Sequence, residues 1–184
     1  MNYTKHKSIL NEIDKVISKV NEQEINNLII EILKTNKIVT VGAGRVGMAI
    51  KGFCMRLGHF GKNAFHIGDT TFPAIGKGDL LIVASGSGET QTIFDLVSIA
   101  KNNKATIFLI TGNTSSRMAK ISDFILKLEA PSKTKEIEGF KSIQPMTTLN
   151  EQCLGILFDT IVLDIMERTG ETHDTMWIRH SNLE

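Results

Sequence analysis

Gly78-Asp79-Leu80-Leu81-Ile82-Val83-Ala84-Ser85-Gly86-Ser87-Gly88-Glu89-Thr90 is the stretch from which the fold of this chain can be read. Leu80 to Ala84 is apolar without interruption and follows a polar turn at Gly76 to Asp79. A short apolar run between turn residues suits a strand covered on both faces, as in a parallel sheet. Beyond Glu89, Ile93, Leu96, Val97 and Ala100 recur at helical spacing. Between strand and helix, Gly86 and Gly88 let backbone N–H groups approach an anion closely. Ser85, Ser87 and Thr90 supply hydroxyl donors. The helix N-terminus adds unsatisfied N–H groups and partial positive charge. Strand, hydroxyl-rich loop and helix together read as a phosphate site. The plainer alternative is a loop with Ser87 as N-cap and Glu89 set against the helix dipole. No Gly-Lys-Ser/Thr ending follows, so a nucleoside triphosphate is not expected.

Upstream, Lys37 to Val41 is a β-branched strand that runs into Gly42-Ala43-Gly44-Arg45-Val46-Gly47, with a helix expected over Met48 to Leu57. This is a literal G-x-G-x-x-G, and a dinucleotide site would also need an acidic residue about 20 positions on. Asp69, after a strand at Asn63 to Ile67, is near that spacing. The second anion loop weighs against a dinucleotide. So does Arg45, a cation able to clamp a compact phosphate bidentately. Downstream, Ala105 to Ile110 and Phe124 to Leu128 are further strands, and Thr111 to Ser116 is a third small polar loop. The alternation predicts a doubly wound α/β sheet of parallel strands with right-handed crossovers. Ligands in such sheets bind beyond the carboxyl ends of the strands, where the loops at Gly42, Ser85 and Thr111 all fall.

The flanks are helical. Ser8 to Lys34 reads as two amphipathic helices broken near Asn21 to Gln23, placed to cap the sheet or to meet a partner subunit. Glu129 to Met146 has no periodicity and carries Pro131, Gly139 and Pro145, which makes it a long loop. Its Lys133, Lys135 and Lys141 could help hold an anion, with solvated charge as the simpler reading. Thr147 to Arg168 is a helix with little polar face, so some of its burial is expected against another subunit. Glu151 has two readings. Thr148-x-x-Glu151 fits a capping box. A carboxylate at a helix N-terminus also stays ionised, as a general base for C–H proton abstraction requires. His180, taken alone, reads as an exposed tail histidine.

With 184 residues, 41% hydrophobic and 22% charged, the chain falls among soluble globular proteins of one domain. A net charge of +1 does not suggest a nucleic-acid surface. No apolar run reaches the ~20 residues of a membrane helix, and Met1 to Lys7 lacks a signal-peptide core, so a cytoplasmic protein is expected. Cys54 and Cys153 sit in apolar helical patterns and read as buried small hydrophobes, without a disulfide or metal site.

Gly42-x-Gly44-Arg45, Ser85-Gly-Ser-Gly-Glu-Thr90, Pro145-Met146-x-Thr148-x-x-Glu151 and Arg179-His180-x-Asn182-Leu183 together resemble the sugar isomerase (SIS) domain. More closely they resemble its 6-phospho-3-hexuloisomerase family, over almost the whole chain. The resemblance implies a flavodoxin-like sheet of five parallel strands. It implies one SIS domain over 1–184, with a helical pair at 1–35, sheet core and loop at 36–146, and C-terminal helices at 147–184. It implies interconversion of D-arabino-hex-3-ulose 6-phosphate and fructose 6-phosphate by a homotetramer fed by 3-hexulose-6-phosphate synthase; proton transfer through an enediol needs no metal or nicotinamide, and no cofactor is expected. Carried over, Gly44, Arg45 and Val46 and the run Ser85, Gly86, Ser87, Gly88, Glu89 and Thr90 would bind the substrate and its phosphate. Glu151 would transfer the proton, and His180 would complete a site in its own or a neighbouring subunit. Two positions depart from the family: Val46 stands where a serine is usual, removing a hydroxyl expected to touch substrate, and Thr147 where glycine is common. The competing readings are another sugar-phosphate aldose–ketose isomerase and a non-catalytic SIS sensor. Such sensors carry a DNA-binding domain ahead of the SIS fold, and the mixed charge of the leading helical pair argues against one.

Overall fold

Leu80–Ala84 is buried at every position, and the sheet is arranged around it. The computed structural model describes residues 4–131, 137 and 139–183. In chain order the elements are α1 (Lys5–Ile17), α2 (Glu22–Lys34), β1 (Lys37–Gly42), α3 (Gly44–His59), β2 (Asn63–His66), β3 (Leu80–Ala84) and α4 (Gln91–Asn102), then β4 (Thr106–Thr111), α5 (Arg117–Ile121), β5 (Phe124–Lys127), α6 (Thr148–Thr169) and α7 (His173–Trp177). The five strands run in the order β2-β1-β3-β4-β5, all pairings parallel. This is the flavodoxin-like order, and its topological switch point lies between β1 and β3. No helix among the described residues is long and apolar enough to cross a membrane.

Successive strand residues point to opposite faces, so each strand supplies both halves of the core. Ile38, Leu80, Ile82, Phe108 and Ile110 pack with residues of α1, α2, α3 and α6. Val39, Leu81, Val83, Ile107 and Leu109 pack with Ile93 and Val97 of α4 and Met118 of α5. The leading helices therefore cap their own sheet, burying Val16, Leu28, Ile29 and Ile32. Asn21, whose side chain accepts from the N–H groups of Gln23 and Glu24, starts the second of them. Helix α3 starts four residues before its expected start at Met48, because Gly42 and Gly47 close the turn tightly. A Cβ on Gly47 would stand 2.5 Å from the Gly42 carbonyl oxygen, so the spacing serves close helix–strand packing. Helix α5 was not expected. Five residues carry too few apolar positions to show a period, although Ser116 caps it through the Ala119 N–H.

Helix α6 buries Leu149, Leu154, Leu157, Phe158, Ile161 and Ile165, and Phe158 stacks on Phe53 of α3 with ring centroids 4.4 Å apart. Its Ile156 and Leu163 remain exposed, as do Met48 and Met55 of α3. The thiols of Cys54 and Cys153 are free and buried, and burial, with Glu12 adding to it, pushes the Cys153 thiol up to about 12. Lys133 and Lys135 lie outside the described residues, and Lys141 is exposed.

Candidate active site

At the β1/β3 switch point lies a cavity of about 200 Å³. Ala43 and Val46 line it from the start of α3, Ser85, Gly86 and Ser87 from the loop after β3, Thr90 and Ile93 from α4, and Thr147 and Asn150 from α6. Three helix N-termini therefore meet at one cavity. Each begins without a side-chain cap, at Ala43, Thr90 and Thr147. By contrast α2, α5 and α7 are capped by Asn21, Ser116 and Thr172, while α1, which does not line the cavity, also starts without a side-chain cap. Uncapped first-turn N–H groups and three converging positive dipole ends make this the natural seat of an anion.

Loop 85–90 is held open from below. Ser85 Oγ accepts the Gly88 N–H at 3.2 Å, and Ser87 Oγ accepts the Glu89 N–H at 3.2 Å. The reading of Ser87 as helix cap is therefore corrected: Thr90 takes the N-cap position, and Ser87 closes a turn inside the loop. The Thr111–Ser116 loop does not line the cavity but supports it. Gly112 N–H donates to the Gly86 carbonyl at 3.0 Å, and Thr111 Oγ1 to the same oxygen at 3.3 Å. Gly88, at φ 66°, lies against Ser116 so closely that a Cβ would overlap the serine Oγ.

Glu89 faces away from an anion role for its carboxylate. Its Oε1 accepts the Arg117 backbone N–H at 2.9 Å, and its Oε2 lies 3.0 Å from Arg117 Nε. The same guanidinium donates to the Glu89 carbonyl at 2.6 Å and to Gln91 Oε1 at 2.7 Å, and sits 4.4 Å above the Phe94 ring. Arg117 is thus a clamp on the far end of the loop. As one more arginine after a polar loop, it carried no sequence signal.

Glu151, on the first turn of α6 with its side chain 11% exposed, is not among the residues lining the cavity but is bonded to Thr147, which is. The capping box is not formed. Thr147 rather than Thr148 is the N-cap, without a side-chain cap bond, and its hydroxyl instead donates to Glu151 Oε1 at 2.8 Å. Arg45 Nε lies 3.0 Å from Glu151 Oε2, and Arg45 Nη1 donates to Thr148 Oγ1 at 3.5 Å. Arg45, expected to clamp phosphate, is thus paired with the candidate base. Glu151 Oε2 is buried and accepts no aligned hydrogen bond, which leaves a carboxylate lone pair available for a proton. Asn150, 4% exposed and packed against Gly86, was missed in the sequence. Its signal was a polar residue on the buried face of an otherwise apolar helix.

His180 is not among the residues lining this cavity. It lines a second one, of about 370 Å³, with Arg56, His59, Val162, Met166, His173 and Trp177. Its ring centroid lies 4.8 Å from that of Trp177 and 5.2 Å from that of His59. Asp69, the acidic partner a dinucleotide would need, does not line this cavity, and its Oδ1 is paired with Lys51 Nζ at 2.8 Å.

Comparison with known proteins agrees with this architecture. The SIS domain model matches residues 31–154. A Bacillus subtilis (strain 168) protein named 3-hexulose-6-phosphate isomerase is 37% identical over 176 residues, 96% of this chain and 95% of the relative. A Mycobacterium gastri protein of the same name is 34% identical over 176 residues, 96% of this chain and 88% of the relative. Among solved structures, a Methanococcus jannaschii protein matches with a TM-score of 0.82 at 30% identity, covering 97% of this chain and 96% of that one, and its structure is described as inferring the molecular function of 3-hexulose-6-phosphate isomerase. This chain belongs to the SIS-domain family, among relatives that carry the name 3-hexulose-6-phosphate isomerase.

Proposed function

We propose that this protein is an aldose–ketose isomerase that interconverts D-arabino-hex-3-ulose 6-phosphate and D-fructose 6-phosphate. The observation that carries the reading is the meeting of three uncapped helix N-termini at a hydroxyl- and glycine-lined cavity with a buried carboxylate oxygen at its edge. The relatives named for this substrate supply the choice among sugar phosphates. The C6 phosphate sits on the Ser85, Ser87 and Thr90 hydroxyls and the Gly86 and Ser87 N–H groups, and takes over the Gly88 and Glu89 N–H groups now held by the two serine oxygens. Gly44 and Val46 border the sugar, and Arg45 holds the base. Glu151 takes the proton from C2 while O3 gains a proton to give the C2–C3 enediol, and the carboxyl then returns its proton to C3 as the C2 hydroxyl gives up its own and becomes the carbonyl. One carboxylate serves both steps because both carbons present the same face to it. The whole chain acts as one SIS domain in the cytoplasm, and a synthase that makes the hexulose phosphate during formaldehyde assimilation supplies the substrate.

The direct assay uses hexulose phosphate generated by that synthase, without added metal or nucleotide. Formation of fructose 6-phosphate is expected. Its absence, with turnover of another sugar phosphate, would move the activity to a different aldose–ketose pair. Binding without any turnover would favour a sensor.

The working form is a homotetramer, and His180 serves the cavity of a neighbouring copy. The uncovered apolar side chains support this: Met48 and Met55 on α3, Leu163 on α6, and Trp177 and Ile178 beside His180. Light scattering of dilute protein is expected to give four chains per particle, and a stable monomer would contradict the assembly.

A further inference from the structure

The irregular segment ahead of α6 is tied to the first helix by a single carboxylate. Glu12 lies on α1 and is only 7% exposed, although it neighbours Asn11 and Asp14 in a polar part of the sequence. Its Oε1 accepts the Ile143 N–H at 2.7 Å, and its Oε2 accepts the Ser142 hydroxyl at 2.8 Å and the Gln144 side-chain amide at 3.1 Å. Ser142 Oγ in turn accepts the Gln144 N–H at 3.0 Å. A carboxylate withdrawn from water is costly unless its lone pairs are filled, and hydrogen bonds to a charged acceptor are the strong ones. Burial pushes the Glu12 carboxyl up, but the Ile143 N–H, the Gln144 and Ser142 side chains and the charge of Lys15 outweigh it and hold the group below its ordinary value.

From this clamp the chain reaches α6 through Pro145, Met146 and Thr147 alone. Met146 has φ 61°, a left-handed conformation that strains a residue with a side chain, and its own side chain is 67% exposed and cannot hold it there. The next residue, Thr147, donates its hydroxyl to Glu151 Oε1 at 2.8 Å. The turn at Met146 is closed by the Thr148 N–H on the Pro145 carbonyl at 3.2 Å, and the clamp fixes where that turn sits, so its release would carry the turn and Thr147 away from the carboxylate.

We propose that Glu12 is a positioning residue for the isomerisation: by clamping residues 142–144 it holds the Met146 kink and Thr147 where they orient the Glu151 carboxylate. The proposal rests on Glu151 as the proton-transferring base. Two variants test it, Glu12→Ala and the double variant Ser142→Ala/Gln144→Ala, which leaves α1 intact. Both are made in the wild-type and in a Glu151→Gln background. In the wild-type background each should lower kcat by about tenfold to hundredfold, the scale of a small misplacement of a catalytic group. KM should change by less than about threefold, since the phosphate loop is untouched. In the Glu151→Gln background neither should lower the residual kcat further. Wild-type kcat in Glu12→Ala, which loses all three bonds to residues 142–144, or the same proportional loss in both backgrounds, overturns the proposal. If Glu12→Ala fails to fold, the double variant decides alone. Failure of the base assignment shows separately, as full turnover in Glu151→Gln by itself.

Discussion

Replacing Glu151 by glutamine is expected to lower turnover by about two to four orders of magnitude. The substitution keeps the shape of the side chain and leaves an acceptor for the Thr147 hydroxyl now bonded to Oε1. What it removes is the basic oxygen. Oε2 is the buried atom with no aligned hydrogen bond, and an amide there cannot take a proton from carbon. The ion pair with Arg45 is also lost, but Arg45 is 61% exposed on its side chain, so solvent screens most of that effect. Folding and affinity for fructose 6-phosphate should therefore change little, and steady-state kinetics with a binding titration separate the two effects. Retained turnover would return Glu151 to a purely structural place on the first turn of α6.

Gly88→Ala is expected to damage the phosphate loop itself. An alanine at φ 66° is strained, and its methyl group would overlap Ser116 Oγ. Ser116 is 1% exposed, and its hydroxyl caps α5 through the Ala119 N–H, so it cannot swing aside without losing that bond. Strain and overpacking together should cost about 2–4 kcal/mol, which lowers Tm by about 5–15 °C for a chain of this size. Affinity for fructose 6-phosphate should fall with it. Ser87→Ala is the contrast. Its hydroxyl lies in the cavity and holds only a local turn, so Tm should hardly move while Kd rises about tenfold to hundredfold, the loss of one hydrogen bond to a charged group. Equal melting of Gly88→Ala and wild type would mean that Ser116 gives way freely.

The features legible in the sequence are those fixed by local chemistry. Leu80–Ala84 announced a strand buried on both faces because nothing polar interrupts it, and the Ser/Gly run announced the strand-to-helix turn that lines the cavity because few other residues allow such close backbone approach. The shift in the start of α6 was not legible. Thr147 and Thr148 are adjacent, either can cap, and the choice depends on the backbone turn at Met146. The partners of Arg45, Glu89 and Arg117 were hidden for a different reason. Charged groups brought together across 28 or 106 residues by the crossing of loops leave no periodic trace in the chain. Glu12 is the extreme case, a helix carboxylate buried by a segment more than 130 residues away.

Proton exchange at the reacting carbons tests the assignment most directly. Fructose 6-phosphate incubated with wild-type protein in deuterated water, and followed by NMR, should lose its C3 proton signal as the enediol exchanges, while the hexulose phosphate acquires deuterium at C2. Glu151→Gln should bind the sugar phosphate and leave both signals intact on the same time scale. Exchange that continues at the wild-type rate in Glu151→Gln would contradict the role of this carboxylate and point to another base.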